Sequence, residues 1–353
     1  MTAKTGLLLY GANGYTGRLI LGVALREGLR PVLAGRRAEA VEPIARAHSL
    51  PSLCFGLDDA ATVSRLLEPF SALLLAAGPF SRTSGPALEA CLRSKTAYLD
   101  ITGEVDVLES VFARDADAKR SGIAVLPGTG FDVVPSDCLA KALSEALPGA
   151  ASLTLAFRGF KASAGTLKTM VESIPKGGLV REGGKLVRVP AAWKAMEIPF
   201  SDQRRLAMTI AWGDLSTAFR STGIPNIEVY MAVPPSAVSS TRRLRRFAPL
   251  AGLPFVQSFL KRRIEKRVKG PTEEERTRER SFLWGRVADG ERSLTGTLET
   301  LEGYALTAET SVAIARRVLG GEVPPGVHTP SQAFGAHFIE TIAGSKLRIG
   351  SAT

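Results

Sequence analysis

The chain has 353 residues, 45% of them hydrophobic, which is globular composition and more chain than one typical core organises, so two domains are expected. No apolar run reaches the ~18 residues that a bilayer span needs, and no charged-then-apolar leader precedes the first strand, so a cytoplasmic location is expected. The net charge of +11 is concentrated: the run from Arg242 to Lys269 holds ten Lys/Arg against Glu265 alone, the remainder carries a net +2, and no nucleic-acid partner is expected.

In chain order, Gly6–Tyr10 reads as a buried strand. It meets the turn Gly11, Asn13, Gly14, Tyr15, Thr16 and Gly17, and then a helix whose apolar positions are Leu19, Ile20, Val23 and Ala24. Glycines at this junction let the chain turn sharply and bring backbone N–H groups close to a pyrophosphate, which the positive helix end also attracts. The spacing is G-x-x-G-x-x-G, with Ala12 where the commoner dinucleotide fingerprint carries a glycine, so the motif needs support from its neighbours. Pro31–Gly35 supplies that support as a second strand. About 20 residues past the last glycine, where an NAD site carries an acid for the ribose hydroxyl, stand Arg36 and Arg37. Two guanidiniums suit a 2′-phosphate and favour NADP; the alternative is the start of a solvated helix.

A third strand, Ser52–Leu57, ends at Asp58 and Asp59. Asp58 is a candidate contact at the adenine end, and a helix N-cap is the alternative use of this acidic pair. Ser71–Ala77 is apolar throughout, the pattern of a central parallel strand, and it places Gly78, Pro79 and Phe80 at the sheet edge where ligands lie. Strands at Ala97–Ile101 and Ile123–Leu126 complete a doubly wound sheet and bring Thr102, Gly103 and Glu104, and the Gly128–Asp132 turn, to the same edge. Beyond Asp132, strands at Ser152–Arg158, Lys185–Val189, Leu206–Trp212, Asn226–Val233, Ser281–Val287 and Arg292–Leu298 follow without alternating helices, with hairpin signals at Gly183-Gly184 and Asp289-Gly290. The expected fold is therefore α/β: a doubly wound parallel Rossmann sheet, residues 1–133, and an α+β domain on a mainly antiparallel sheet, residues 134–319. Residues 320–353 are expected to pack back on the first domain.

The polar groups near the ends of the fifth and sixth strands are Tyr98, Asp100, Glu104, Asp132 and Asp137. A carboxylate there can relay a proton or cap a turn. No tyrosine has a lysine four residues on, which disfavours the short-chain reductases. Cys138 has no nearby histidine, which disfavours a cysteine nucleophile. Cys54, Cys91 and Cys138 show no C-x-x-C spacing and are expected to pack as small buried groups. His48, His328 and His337 do not cluster, so no metal site is expected.

Five ordered segments, Gly11–Gly17, Ala34–Arg36, Ala77–Phe80, Tyr98–Glu104 and Gly130–Asp137, together resemble the saccharopine dehydrogenase-like oxidoreductases, and within them the single-chain bacterial branch that includes the trans-acting enoyl reductases. Ser221–Tyr230 and Gly303–Ala308 extend the resemblance over nearly the whole chain. The resemblance implies an NADP-binding Rossmann domain, an inserted substrate domain and a homodimer. It matches Tyr98 and Asp132 to a tyrosine and an aspartate beside the nicotinamide. The divergence after Pro135 argues against saccharopine itself. The expected reaction is hydride transfer to or from an enoyl or imine-type small molecule; the alternatives are a trans-acting enoyl reductase on a lipid or polyketide acyl chain, and a non-catalytic NADP-binding sensor or scaffold.

Within residues 241–270, Phe255, Val256, Phe259, Leu260 and Ile264 would form an apolar helix face flanked by Lys261, Arg262 and Lys266. Such a helix can meet an anionic membrane or an acyl carrier, or be a solvated surface element.

Overall fold

The computed structural model describes residues 4, 6–159, 161–268 and 270–351, so Lys269 of the basic run lies outside the described residues. In chain order the strands are β1 Leu7–Tyr10, β2 Val32–Gly35, β3 Ser52–Cys54, β4 Ala72–Leu75, β5 Ala97–Asp100, β6 Ala124–Leu126, β7 Ser152–Arg158, β8 Gly178–Glu182, β9 Lys185–Val189, β10 Ala195–Pro199, β11 Arg204–Thr209, β12 Asn226–Ala232, β13 Arg280–Ala288, β14 Ser293–Leu301, β15 Gly326–Val327 and β16 Lys346–Ile349.

The first unit comprises Met1–Val134 and Tyr304–Ala333. Its sheet is parallel throughout, in the order β15-β6-β5-β4-β1-β2-β3. All four residues of β1 and all four of β4 are buried, because helices cover both faces of a parallel sheet and every side chain must be apolar. Strand order reverses at the β1–β4 boundary, which is the switch point where Rossmann-type folds open a crevice. The registers set the loops in line: Tyr10 is opposite Ala34 and Leu75, Leu75 opposite Asp100, and Leu99 opposite Leu126. Every loop that leaves these strands therefore emerges on one edge.

The second unit comprises Pro135–Gly303 and Phe334–Thr353. Its mixed sheet runs β10-β11-β12-β7-β13-β14-β16, antiparallel except for β12 beside β7, with the β8–β9 hairpin attached to β12. The Gly183-Gly184 pair forms the turn of that hairpin, with Glu182 opposite Lys185. The cross-strand pair Gly285 and Gly296 leaves room for Leu143 and Leu139 of helix Val134–Ala146; a Cβ on Gly285 would lie 2.6 Å from Leu143.

The units divide the chain differently from the boundaries at 319 and 320 expected above. Helix Gly303–Leu319, assigned from the sequence to the substrate domain, packs in the first unit beside helix Tyr15–Arg26: Arg26 meets Glu309 at 2.7 Å, Arg316 meets Glu27 at 2.8 Å, and the Tyr15 and Tyr304 rings meet edge-on at 5.0 Å. β15 then extends the parallel sheet beyond β6, while β16 pairs with β14 in the second unit, so only part of the 320–353 tail belongs with the first. Cys91 and Cys138 are buried as expected; Cys54, at the end of edge strand β3, is exposed. Among the described residues no group of three or more His, Cys, Asp or Glu could hold a metal, and no helix is long and apolar enough to cross a membrane.

Candidate active site

The loop after β1 is held tightly. Gly11 adopts φ +94°, and a Cβ there would lie 2.9 Å from the backbone of Ala76 and Ala77; a Cβ on Gly17 would lie 2.2 Å from the Gly11 carbonyl oxygen. Only glycine allows the helix Tyr15–Arg26 to sit this close to the strand ends. That helix starts at Gly14, which makes no side-chain cap bond to its first turn. The Asn13 side chain lies against Gly35 at the end of β2, and the exposed Arg36 follows. Arg36 makes no ion pair among the described residues, whereas Arg37 faces Glu39 at 3.8 Å in a fully solvated surface pair. Beneath Arg36, the Tyr10 hydroxyl donates to the Phe55 carbonyl at 2.8 Å, and burial raises its pKa to about 12, opposed by the Arg36 charge and reinforced by Asp58. Asp58 is exposed and Asp59 is the cap: Asp59 accepts from the Ala61 amide at 3.0 Å. An uncapped helix end beside an unpaired guanidinium is an arrangement that suits a phosphorylated anion.

Further along the same edge, Phe80 begins helix Phe80–Ser94 immediately after Gly78 and Pro79. The first-turn amides of that helix are taken by a distant acid: Glu104 accepts from Phe80 N at 2.9 Å and Ser81 N at 3.2 Å. Glu104 thus fixes the Gly78–Phe80 turn against the loop that follows β5. The adjacent Gly103 packs on Asp132, and a Cβ at Gly103 would lie 2.6 Å from both Cβ and Oδ2 of that aspartate. Asp132 is partly exposed; burial of its carboxyl and, second, the Glu104 charge raise its pKa to about 7. A carboxyl with that value exists in both protonation states near neutrality and can give or take a proton.

Tyr98 is placed differently from what the resemblance implies. Tyr98 and Asp100 lie two residues apart on one face of β5, and both are fully buried. The Tyr98 hydroxyl donates to Asp100 Oδ2 at 2.6 Å and bonds Ser84 at 2.8 Å, while Asp100 Oδ1 accepts from the amides of Thr102 and Gly128, each at 2.9 Å. Burial pushes both groups up from their ordinary pKa values; at Asp100 the hydrogen bonds from Tyr98, Gly128 and Thr102 oppose the shift. Asp100 is thus a hub that ties the exit of β5 to the exit of β6, and the enclosed Tyr98 hydroxyl offers no exposed surface to a ligand. Tyr98→Phe should lower stability in urea unfolding by about 1–3 kcal/mol, because a buried carboxylate loses a donor, and should leave turnover within a few-fold.

The structure therefore sets the candidates from the loops after β1, β2, β4, β5 and β6 along one edge, with contacts joining neighbouring loops, and takes Tyr98 into the core. Two supports were not read from the sequence. Asp100 ties the two loops, and the Thr307 hydroxyl accepts from the Phe131 amide at 3.0 Å, bracing the turn that carries Asp132. Thr310 donates to the Thr129 carbonyl at 2.7 Å, and Ser311 lies 3.0 Å from the Thr129 hydroxyl. Thr307, Thr310 and Ser311 form a buried polar stripe at three- and four-residue spacing among the apolar buried positions Leu306, Ala308, Val312 and Ile314, which is the signal that could have found them.

No family model matches the chain. A trans-acting enoyl reductase of Mycobacterium leprae is 31% identical over 139 residues, 37% of this chain and 33% of that protein. An Arabidopsis thaliana protein described as a saccharopine dehydrogenase-like oxidoreductase is 30% identical over 148 residues, again 37% of this chain and 33% of its own. The chain spans about a third of the length of each of these curated relatives. In fold, the apo saccharopine dehydrogenase (L-Glu forming) of Saccharomyces cerevisiae superposes with a TM-score of 0.67 at 14% identity, covering 98% of this chain and 100% of that one. In sequence the chain is thus similar, over about 37% of its length, to a trans-acting enoyl reductase and to a saccharopine dehydrogenase-like oxidoreductase, and over its whole length it shares the fold of the yeast saccharopine dehydrogenase.

Proposed function

We propose that the protein is an NADP-dependent oxidoreductase that transfers a hydride to or from an enoyl or imine-type substrate. The observation that carries this reading is the exposed Arg36, unpaired among the described residues, at the end of β2 beside an uncapped helix N-terminus. The residues present fit such a nucleotide. Gly11, Asn13, Gly14, Tyr15, Thr16 and Gly17 would receive the pyrophosphate, Arg36 the 2′-phosphate, with Arg37 and Asp58 at the margin. Gly78, Pro79, Phe80 and Gly103 would border the nicotinamide end, with Glu104 holding that border in place. When bound, the nicotinamide supplies or accepts the hydride.

The chain's own contribution to the chemistry is a proton. Reduction of a C=C or C=N bond needs a proton on the atom that does not receive the hydride, and Asp132 Oδ2 is the group we assign to deliver it. Its raised pKa keeps a substantial fraction protonated at neutral pH. Gly103 sets that carboxyl in position and Thr307 braces its turn. The names of the enoyl-reductase relatives support the enoyl half of this reading, with an acyl chain carried on a lipid or polyketide as the alternative substrate.

The test is loss of NADPH absorbance in the presence of a panel of enoyl thioesters and imines. Turnover with an enoyl or imine compound supports the reading. Tight NADPH binding with no turnover across the panel would favour a sensor.

A further inference from the structure

We infer that the face formed by residues 244–266 of the second unit docks the protein on an anionic lipid bilayer. The observation is a cluster of large apolar side chains turned to solvent within a short stretch of chain. Leu244 is 63% exposed, Leu250 57%, Phe255 71% and Phe259 62%, with Phe247 and Leu253 also exposed. The unit buries its core elsewhere, around Ala156, Ile198, Tyr230 and Trp284. Apolar surface gathered in this way marks an interaction site.

The geometry of helix Pro254–Arg267 separates an anchored face from a presented one. Gln257 donates to the Val171 carbonyl at 3.2 Å and Lys261 meets Glu172 at 2.6 Å, which fixes one face on helix Ala164–Ser173. Phe255, Phe259, Arg262 and Lys266 recur at four-, three- and four-residue steps on the outward face, and all four are exposed. Arg262, Arg263, Lys266 and Arg267 make no ion pair among the described residues, and the acid of this helix, Glu265, faces Lys168 at 3.2 Å. Apolar tips followed by unpaired cations match the level structure of a membrane surface: the tips enter the acyl boundary while the cations stay with the phosphates.

Charge decides between possible occupants. A second copy seated on this face by two-fold symmetry would bring the exposed Arg262, Arg263 and Lys266 of one chain against the same three of the other, with no acid of this helix free to oppose them, since Glu265 faces Lys168. An anionic bilayer supplies the complementary charge without that repulsion, and a soft interior for phenylalanine as well. The inference is independent of the nucleotide site, since it uses no residue placed there.

The test is cosedimentation of the full chain with phosphatidylcholine vesicles, with and without phosphatidylglycerol, in low and high salt. Binding is expected to the anionic vesicles, to weaken in high salt and to be at least about tenfold weaker without phosphatidylglycerol. The Arg262→Ser, Lys266→Ser pair should weaken binding about 30-fold. The Phe255→Ser, Phe259→Ser pair should weaken it at least about tenfold. These side chains are exposed, so both variants should melt with the parent. Absence of binding to anionic vesicles in low salt, or binding unchanged in both variants, would overturn the inference. So would a phenylalanine-dependent change in oligomeric state without vesicle binding, which assigns the face to a second copy, and capture by polyglutamate without vesicle binding, which assigns it to an acidic protein.

Discussion

Asp132→Asn is expected to lower kcat for substrate reduction by about 100-fold or more while leaving NADPH affinity unchanged, because it removes the proton source and keeps the side-chain shape. In the parent protein, kcat/KM for reduction should be level at acid pH and fall as pH rises through about 7, the value to which burial and Glu104 raise this carboxyl. That limb should vanish in the variant. A second consequence concerns stability. The folded pKa lies above the ordinary carboxylate value of 3.8, so the contribution is full below that value and is lost as pH rises through about 7. Asparagine mimics the neutral acid, so the variant should be more stable than the parent at about pH 8, by about 1–2 kcal/mol once partial exposure is allowed for, and the gap should close as pH falls toward 4. Thermal melts at a series of pH values give this difference directly. A positioning role alone would leave the kinetic limb intact in the variant.

Arg36→Asp should weaken NADPH binding about 100-fold, because a charge-assisted contact to a phosphate is replaced by like-charge repulsion, and should leave NADH binding within a few-fold. Arg37→Asp is the control. Arg37 faces Glu39 in solvent, so its replacement should change the preference far less. Equal losses for the two variants would mean that a general positive potential, and not a specific contact at Arg36, selects the nucleotide.

The nucleotide-binding half was the more legible part of the chain, for a physical reason. β1 and β4 are buried on both faces, which forces continuous apolar runs, and the turn between β1 and its helix tolerates only glycine at Gly11 and Gly17. β8, β10 and β16 were not read. β10 exposes Glu197 and Pro199, β16 alternates exposed basic residues with half-buried apolar ones, and both depend on partners whose pairing no local pattern encodes. Helix Gly303–Leu319 was found but given to the wrong unit, because its apolar and threonine-rich face fits either neighbour and only the contacts to Glu27, Arg26 and Thr129 reveal which.

At the site, sequence spacing placed loops on an edge but could not orient side chains. Tyr98 and Asp100 share a strand face, and the pattern is the same whether that face meets a ligand or the core. Burial shows the core. Glu104 was read as a nucleotide neighbour, yet its carboxylate bonds the amides of Phe80 and Ser81, more than twenty residues earlier, in the first turn of helix Phe80–Ser94. Arg36 and Arg37 were read together, and a single neighbouring acid, Glu39, distinguishes them.

Calorimetric titration of the intact chain with NADP+ and with NAD+ is the most direct measurement. NADP+ should bind at a single site, at least about tenfold more tightly than NAD+, since a phosphate contact from one guanidinium is worth at least that factor. Equal affinities, or no heat with either nucleotide, would contradict the assignment of the β1 loop and Arg36 as a 2′-phosphate dinucleotide site.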